Sequence, residues 1–267
     1  MTMTFLDYAC IVLFVALVLG VSMFMSRQKK KDSAGYFLAG RAATWWLIGF
    51  SLIAANISTE QFVGMSGAGA GNVGLAIASY EWIAAVTLVF VGLFFLPRFL
   101  SAGIFTIPEY LEYRYNVLAR TIMSVFLMVV YVCVTIVAVV FSGGLTLHAI
   151  FDWPLVFSIW LIGILAAAYT TFGGLRAVIW ADLIQGSALI LGGAIVLFFG
   201  LQAMAPEGGG VVAGWGAFMD QAGDKMHMRL PTEHPELPVT ALFLGIWIPN
   251  FYYWGLNQYI TQRTLGS

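Results

Sequence analysis

The sequence predicts an all-α protein that crosses a membrane several times. Three observations carry this: 61% of residues are hydrophobic, only 9% are charged, and the apolar stretches run for roughly 20 residues. A soluble domain covers itself with about 25% charged residues. Lipid tolerates an apolar surface but cannot satisfy exposed backbone groups, so only helices or closed barrels span it. Runs of this length select helices over the roughly ten-residue alternating strands of a barrel. With a net charge of −1, nothing points to nucleic acid as a partner.

Seven membrane segments are expected, near residues 5–26, 44–66, 75–97, 120–142, 154–172, 180–203 and 239–260. Positive charge follows the first segment instead of preceding it, which describes a membrane helix better than a cleaved signal peptide. The distribution of Lys and Arg tests the layout. Arg27, Lys29, Lys30, Lys31, Arg41, Arg98, Arg114, Arg120, Arg176 and Arg263 fall on one side, and only Lys225 and Arg229 on the other. The expected orientation in the cytoplasmic membrane therefore has the N-terminus outside and Arg263 inside. Lys29 to Lys31 serve as an orientation signal.

The stretch 204–238 reads as a solvated external loop, and its His227 and His234 are given no metal site. Cys10 and Cys133 lie in apolar segments without metal-ligand spacing and read as two small buried hydrophobes. Gly69-Ala-Gly-Asn-Val-Gly74 matches a dinucleotide fingerprint, but it follows a membrane helix instead of a strand. A tight turn between helices is the expected role. No activated nucleophile, acid/base pair or cofactor motif is present in the sequence, so an enzyme is not expected.

The second segment carries an unusual polar run at membrane depth: Ser51, Asn56, Ser58, Thr59, Glu60 and Gln61. Such groups are costly in lipid unless they face a partner or a wet cavity. The seventh repeats the pattern with Gly245, Pro249, Asn250, Tyr253, Gly255, Asn257 and Gln258, and Pro249 is expected to interrupt its hydrogen-bond ladder. Interrupted helices at matching positions of two halves point to a transporter site, where unwound carbonyls hold a cation and amides hold a solute. Amides also glue helices together, but clustering in two matched helices favours a site. Glu81 can accept hydrogen bonds from a solute or snorkel to water, and Asp182 can guide a cation or complement a helix N-terminus.

These residues resemble the sodium/solute symporter family, particularly its sugar branch. The likeness rests on Ser51-Leu-Ile-Ala-Ala-Asn-Ile-Ser-Thr-Glu-Gln61, Gly74-Leu-Ala-Ile-Ala-Ser-Tyr-Glu-Trp82, Phe172-Gly-Gly-Leu-Arg-Ala177 and Tyr252-Tyr-Trp-Gly-Leu-Asn-Gln-Tyr-Ile-Thr-Gln-Arg-Thr264. It implies a LeuT-like fold of inverted five-helix repeats in a single transporter domain over residues 1–267. Residues 5–26 would be a leading helix, 44–203 the first repeat and 239–260 the first helix of the second, with the protein continuing past Ser267.

By the same resemblance, Ala54 and Ile57 supply backbone carbonyls to sodium, the co-transported ion, and Asp182 lies on its exit path. Asn56, Gln61, Glu81 and Asn250 contact a sugar or related polyol, and Tyr253 is an inner gate. Ala84 and Thr135 depart from the family's serine and asparagine, which leaves the particular solute open. Other readings are a membrane sensor joined to a signalling domain, or an inactive truncated fragment.

Overall fold

A computed structural model describes residues 4–26, 33–41, 43–58 and 60–266. The basic run from Arg27 to Lys31, and Thr59, lie outside the described residues, as does the side chain of Glu60. The described elements are helices and turns. Among the described residues, four helices are long and apolar enough to cross a bilayer: Phe5–Met25, Gly74–Ser101, Val117–Phe151 and Thr170–Met204. Of the other expected segments, the second and seventh are interrupted and the fifth is a shorter apolar helix, Leu155–Ala168.

Local chemistry explains the ends. Asp7 and Thr4 form a capping box at the first helix, with Thr4 N–H donating to Asp7 Oδ2 at 2.7 Å. Asn116 accepts the N–H of Ala119 at 2.9 Å and starts the helix from Val117. Asp152, in the left-handed region at φ 57°, stops that run, and Pro154 precedes the next helix.

The helical run Leu155–Met204, two helices joined at a kink, is the scaffold: Phe5–Met25, Trp45–Asn56 and Ile136–Phe151 all pack against it. A loop was expected at residues 173–179. The helices meet there directly at Gly174, whose φ of 59° and ψ of −163° make the bend in one residue. The Tyr36 carbonyl lies 2.7 Å from where a Cβ on Gly174 would stand, and Tyr36 Oη donates to the Thr171 carbonyl at 3.2 Å. Only glycine combines that φ with that approach.

The stretch 204–238 is more ordered than a solvated loop. It contains the helix Val211–Ala222, which packs on the scaffold helix where Gly214 lets the Leu201 carbonyl approach. Beyond it, Lys225 Nζ donates to the Ala70 carbonyl at 2.7 Å, and Ser79 Oγ to the Met228 carbonyl at 3.2 Å. His234 caps its own turn, accepting from Leu237 N–H at 3.1 Å. The glycine-rich segment forms a turn that ends at Gly74, φ 60°, beneath the Lys225 backbone.

Two further expectations are corrected. Cys10 and Cys133 are exposed, not buried: a helix facing lipid can carry a small apolar side chain on its outer surface. Pro249 has no N–H to give and so interrupts the ladder, but it does not end the seventh segment. A wide π turn over Ala241–Gly245 absorbs the proline, Trp247–Phe251 stays helical, and the interruption falls at Asn257, φ −75° and ψ 119°. Because another π turn, Tyr252–Leu256, intervenes, Asn250, Tyr253 and Asn257 do not follow ideal α-helical spacing.

Gly174→Ala should lower stability by about 1–3 kcal/mol, the scale of a strained backbone position. Thermal unfolding in detergent checks this, and an unchanged midpoint would contradict the tight bend.

Candidate functional site at the helix breaks

The first break begins where Ile57 leaves the helix Trp45–Asn56 for extended backbone, φ −80° and ψ 107°. Ile57 N–H still closes the last turn on the Ile53 carbonyl at 2.9 Å. The next N–H, from Ser58, goes instead to Gln61 Oε1 at 3.0 Å, and the Ser58 hydroxyl donates to the same oxygen at 2.6 Å. Gln61 N–H returns to the Ser58 carbonyl at 3.1 Å. In an unbroken helix these N–H groups would reach the carbonyls of Ala54 and Ile57. The break therefore releases from their helical donors the two carbonyls expected to hold sodium. Ser58-x-x-Gln61 is the capping-box pattern, which lets a helix restart across Glu60–Met65 and Ser66–Ala70.

Asn56 and Glu81 come together. Asn56 Nδ2 donates to both carboxylate oxygens, at 3.0 and 3.2 Å. Glu81 is exposed, so the pair lies on an open face of the chain. Gln61 uses its carbonyl as a local cap; its Nε2 makes no hydrogen bond among the described residues. Asn250 lies on Trp247–Phe251, which packs against the helix Ser79–Phe90 carrying Glu81. Among the described residues it has no side-chain hydrogen bond to Asn56 or Glu81. Tyr253 accepts the Tyr259 hydroxyl at 2.6 Å, with the rings edge-on. Ala84 is buried with Val91, Trp254 and Ile260, whereas Thr135 lies half-buried in a π turn of Val117–Phe151, the helix of the fourth expected segment and called the fourth helix below.

Asp182 sits in a closed network. It accepts from the Ser51 hydroxyl and from Arg263 Nε and Nη2, at 3.2 and 3.1 Å for the two nitrogens. Arg263 Nε also donates to Ser51 Oγ at 2.8 Å, and Nη1 reaches the Tyr259 carbonyl. Ser51, Asp182 and Arg263 are all buried. Four residues on, at Gly186, a Cβ would stand 3.2 Å from Ala54 Cβ, so the Asp182 helix fits closely against the first break. Sequence reasoning treated Arg263 only as an orienting charge. The signal for its role was an acid in a long apolar helix, which needs a buried cation.

Arg263→Met should cost about 3–5 kcal/mol, because it leaves Asp182 buried without its counterion, and adding Asp182→Asn should recover much of that loss. Chemical unfolding of the single and double variants checks this. Equal losses in both would contradict the pairing.

The sodium:solute symporter family model matches residues 36–263. A sodium/glucose cotransporter of Vibrio parahaemolyticus is 44% identical over 99% of this chain and 50% of its own length. Sodium/glucose cotransporter 4 of Mus musculus is 32% identical over 98% of this chain and 40% of its own. A Na+-coupled sialic acid symporter, solved in a substrate-bound outward-open state, superposes with a TM-score of 0.85 at 26% identity. That match covers 99% of this chain and 55% of the solved one. The chain thus spans about half the length of the relatives it matches. With a family match running from before the first break to the arginine that pairs Asp182, this chain belongs to the sodium:solute symporter family.

Proposed function

We propose that the chain forms part of a sodium-driven symporter that carries a sugar or related polyol across the cytoplasmic membrane by alternating access. The observation that supports this most is the first break, where carbonyls freed from the helix adjoin an amide–carboxylate pair on an open face. Freed carbonyls are hard oxygen ligands suited to sodium, and Ala54 and Ile57 take that role. Asn56, Glu81, Gln61 and Asn250 meet the solute's hydroxyls, since amides both donate and accept. Tyr253 closes the inner side, and sodium leaves past Asp182.

Residues 5–26 lead, 44–203 form the first inverted repeat and 239–260 open the second, in a LeuT-like arrangement with seven crossings in this chain. The N-terminus lies outside and Arg263 on the cytoplasmic side. The relatives favour a polyhydroxylated solute: the matched cotransporters are named for glucose, and the solved neighbour for sialic acid. Each sodium ion entering down 100 mV supplies about 2.3 kcal/mol to drive the solute uphill.

The test is uptake of labelled sugars, inositol and sialic acid into cells or vesicles carrying the full-length protein. Uptake should collapse when choline replaces sodium; equal uptake in both buffers would sink the coupling. Gln61→Ala and Glu81→Ala should each weaken apparent solute affinity by about tenfold, the scale of one lost hydrogen bond to the solute. Unchanged affinity in both would remove these residues from the site.

A further inference from the structure

One side chain outside the proposed solute and sodium contacts ties the fourth helix to the second break. Along Tyr252–Leu256 the ladder has already widened, and Asn257 N–H closes on the Tyr252 carbonyl at 2.9 Å. Continuing that pattern would send Gln258 N–H to the Tyr253 carbonyl. It goes instead to the hydroxyl oxygen of Tyr131, at 2.8 Å. The Tyr131 hydroxyl in turn donates to Asn257 Oδ1 at 2.6 Å. A single hydroxyl from another helix thus takes up the backbone and a side chain at the point where the helix stops.

What Asn257 does not do is equally informative. Its carbonyl accepts from Thr261 N–H at 3.0 Å, so it stands at the N-cap of Gln258–Leu265. Asparagine there ordinarily turns its side chain onto the first free N–H groups. Here it makes no such cap, and its oxygen is given to Tyr131. Asn257 is buried, where an unsatisfied amide would be costly.

Both ends of this contact are irregular. Tyr131 opens the π turn Tyr131–Thr135, in which Ile136 N–H reaches the Tyr131 carbonyl, and such turns are rare and concentrate at functional positions. Gln258 is held on its far side too: its Oε1 accepts from Ile107 N–H at 2.8 Å. The residues immediately after the break are therefore fixed between the fourth helix and the short helix Ile107–Arg114 that precedes it.

We propose that Tyr131 is a positioning residue: its hydroxyl sets the break at Asn257–Gln258 and makes that hinge follow the fourth helix. Tyr253 lies four residues before the break, so the clasp fixes the base of the proposed gate. The inference deepens the symporter reading and rests on it for its consequence in transport, while the clasp itself is tested without transport.

The decisive variant is Tyr131→Phe, which keeps the ring and removes the hydroxyl. Hydrogen exchange of the full-length protein should accelerate by about tenfold in peptides covering residues 252–262, the scale of losing one or two net hydrogen bonds. Exchange in residues 5–25 should stay unchanged. Solute turnover should fall about tenfold with the half-saturating concentration within about twofold, a loss confined to steps after binding. Asn257→Asp, which keeps an acceptor for Tyr131, should retain slower exchange at the break than Asn257→Leu. Unchanged exchange at 252–262 in Tyr131→Phe overturns the clasp, and faster exchange with full turnover overturns its role as a hinge. If the parent protein shows no sodium-dependent uptake, the symporter reading fails, and the exchange result alone still decides the clasp.

Discussion

A backbone N–H inside a bilayer has no water to turn to, so a helix can stop at that depth only where another group takes its hydrogen bonds. Both breaks obey this constraint, by different means. At the first, Gln61 reaches back three residues to the Ser58 N–H and hydroxyl. At the second, the partner comes from a different helix, since Tyr131 receives the Gln258 N–H. In each case satisfying one donor withholds it from a carbonyl, and the withheld carbonyl becomes available to something else. Stability and function meet in the same hydrogen bonds: what keeps an interrupted helix tolerable in lipid also opens oxygen ligands.

The same economy governs charge. Asp182 is buried where an uncompensated carboxylate would be untenable, and Arg263 answers it across the interface between the scaffold helix and the segment after the second break. Ser51, one turn before Ala54 and Ala55, shares both partners. The network consequently joins three elements: the helix before the first break, the scaffold helix and the helix after the second break. Any motion separating the two interrupted helices at this level must disrupt a buried ion pair, which makes the network a natural restraint on how the breaks move relative to each other.

Much of this was legible in the chain. A polar run inside an apolar segment marked the first break to within a residue, because lipid leaves such groups few alternatives. The meeting of Asn56 with Glu81 was foreshadowed only by their types, since nothing in one-dimensional spacing says that position 56 faces position 81. Pro249 drew attention to itself as a helix breaker, yet a π turn accommodated it, while the break lay at Asn257, whose sequence signal is weak. Tyr131 was invisible for a related reason: a tyrosine in an apolar helix looks like an interfacial aromatic until its hydroxyl is seen to have two partners. The helix Val211–Ala222 was hidden behind the glycine run 208–210, and its own Gly214 serves close packing against the scaffold helix instead of marking a loop.

In the proposed symporter the first break presents the Ala54 and Ile57 carbonyls to sodium. Isotope-edited infrared spectroscopy tests this directly, with 13C placed at those two carbonyls in the full-length protein. Sodium, and not choline, should shift both labelled bands, while a label at Ile53, whose carbonyl stays in the helix ladder, should not respond. Labelled bands at 54 and 57 that are the same in sodium and choline would contradict the account.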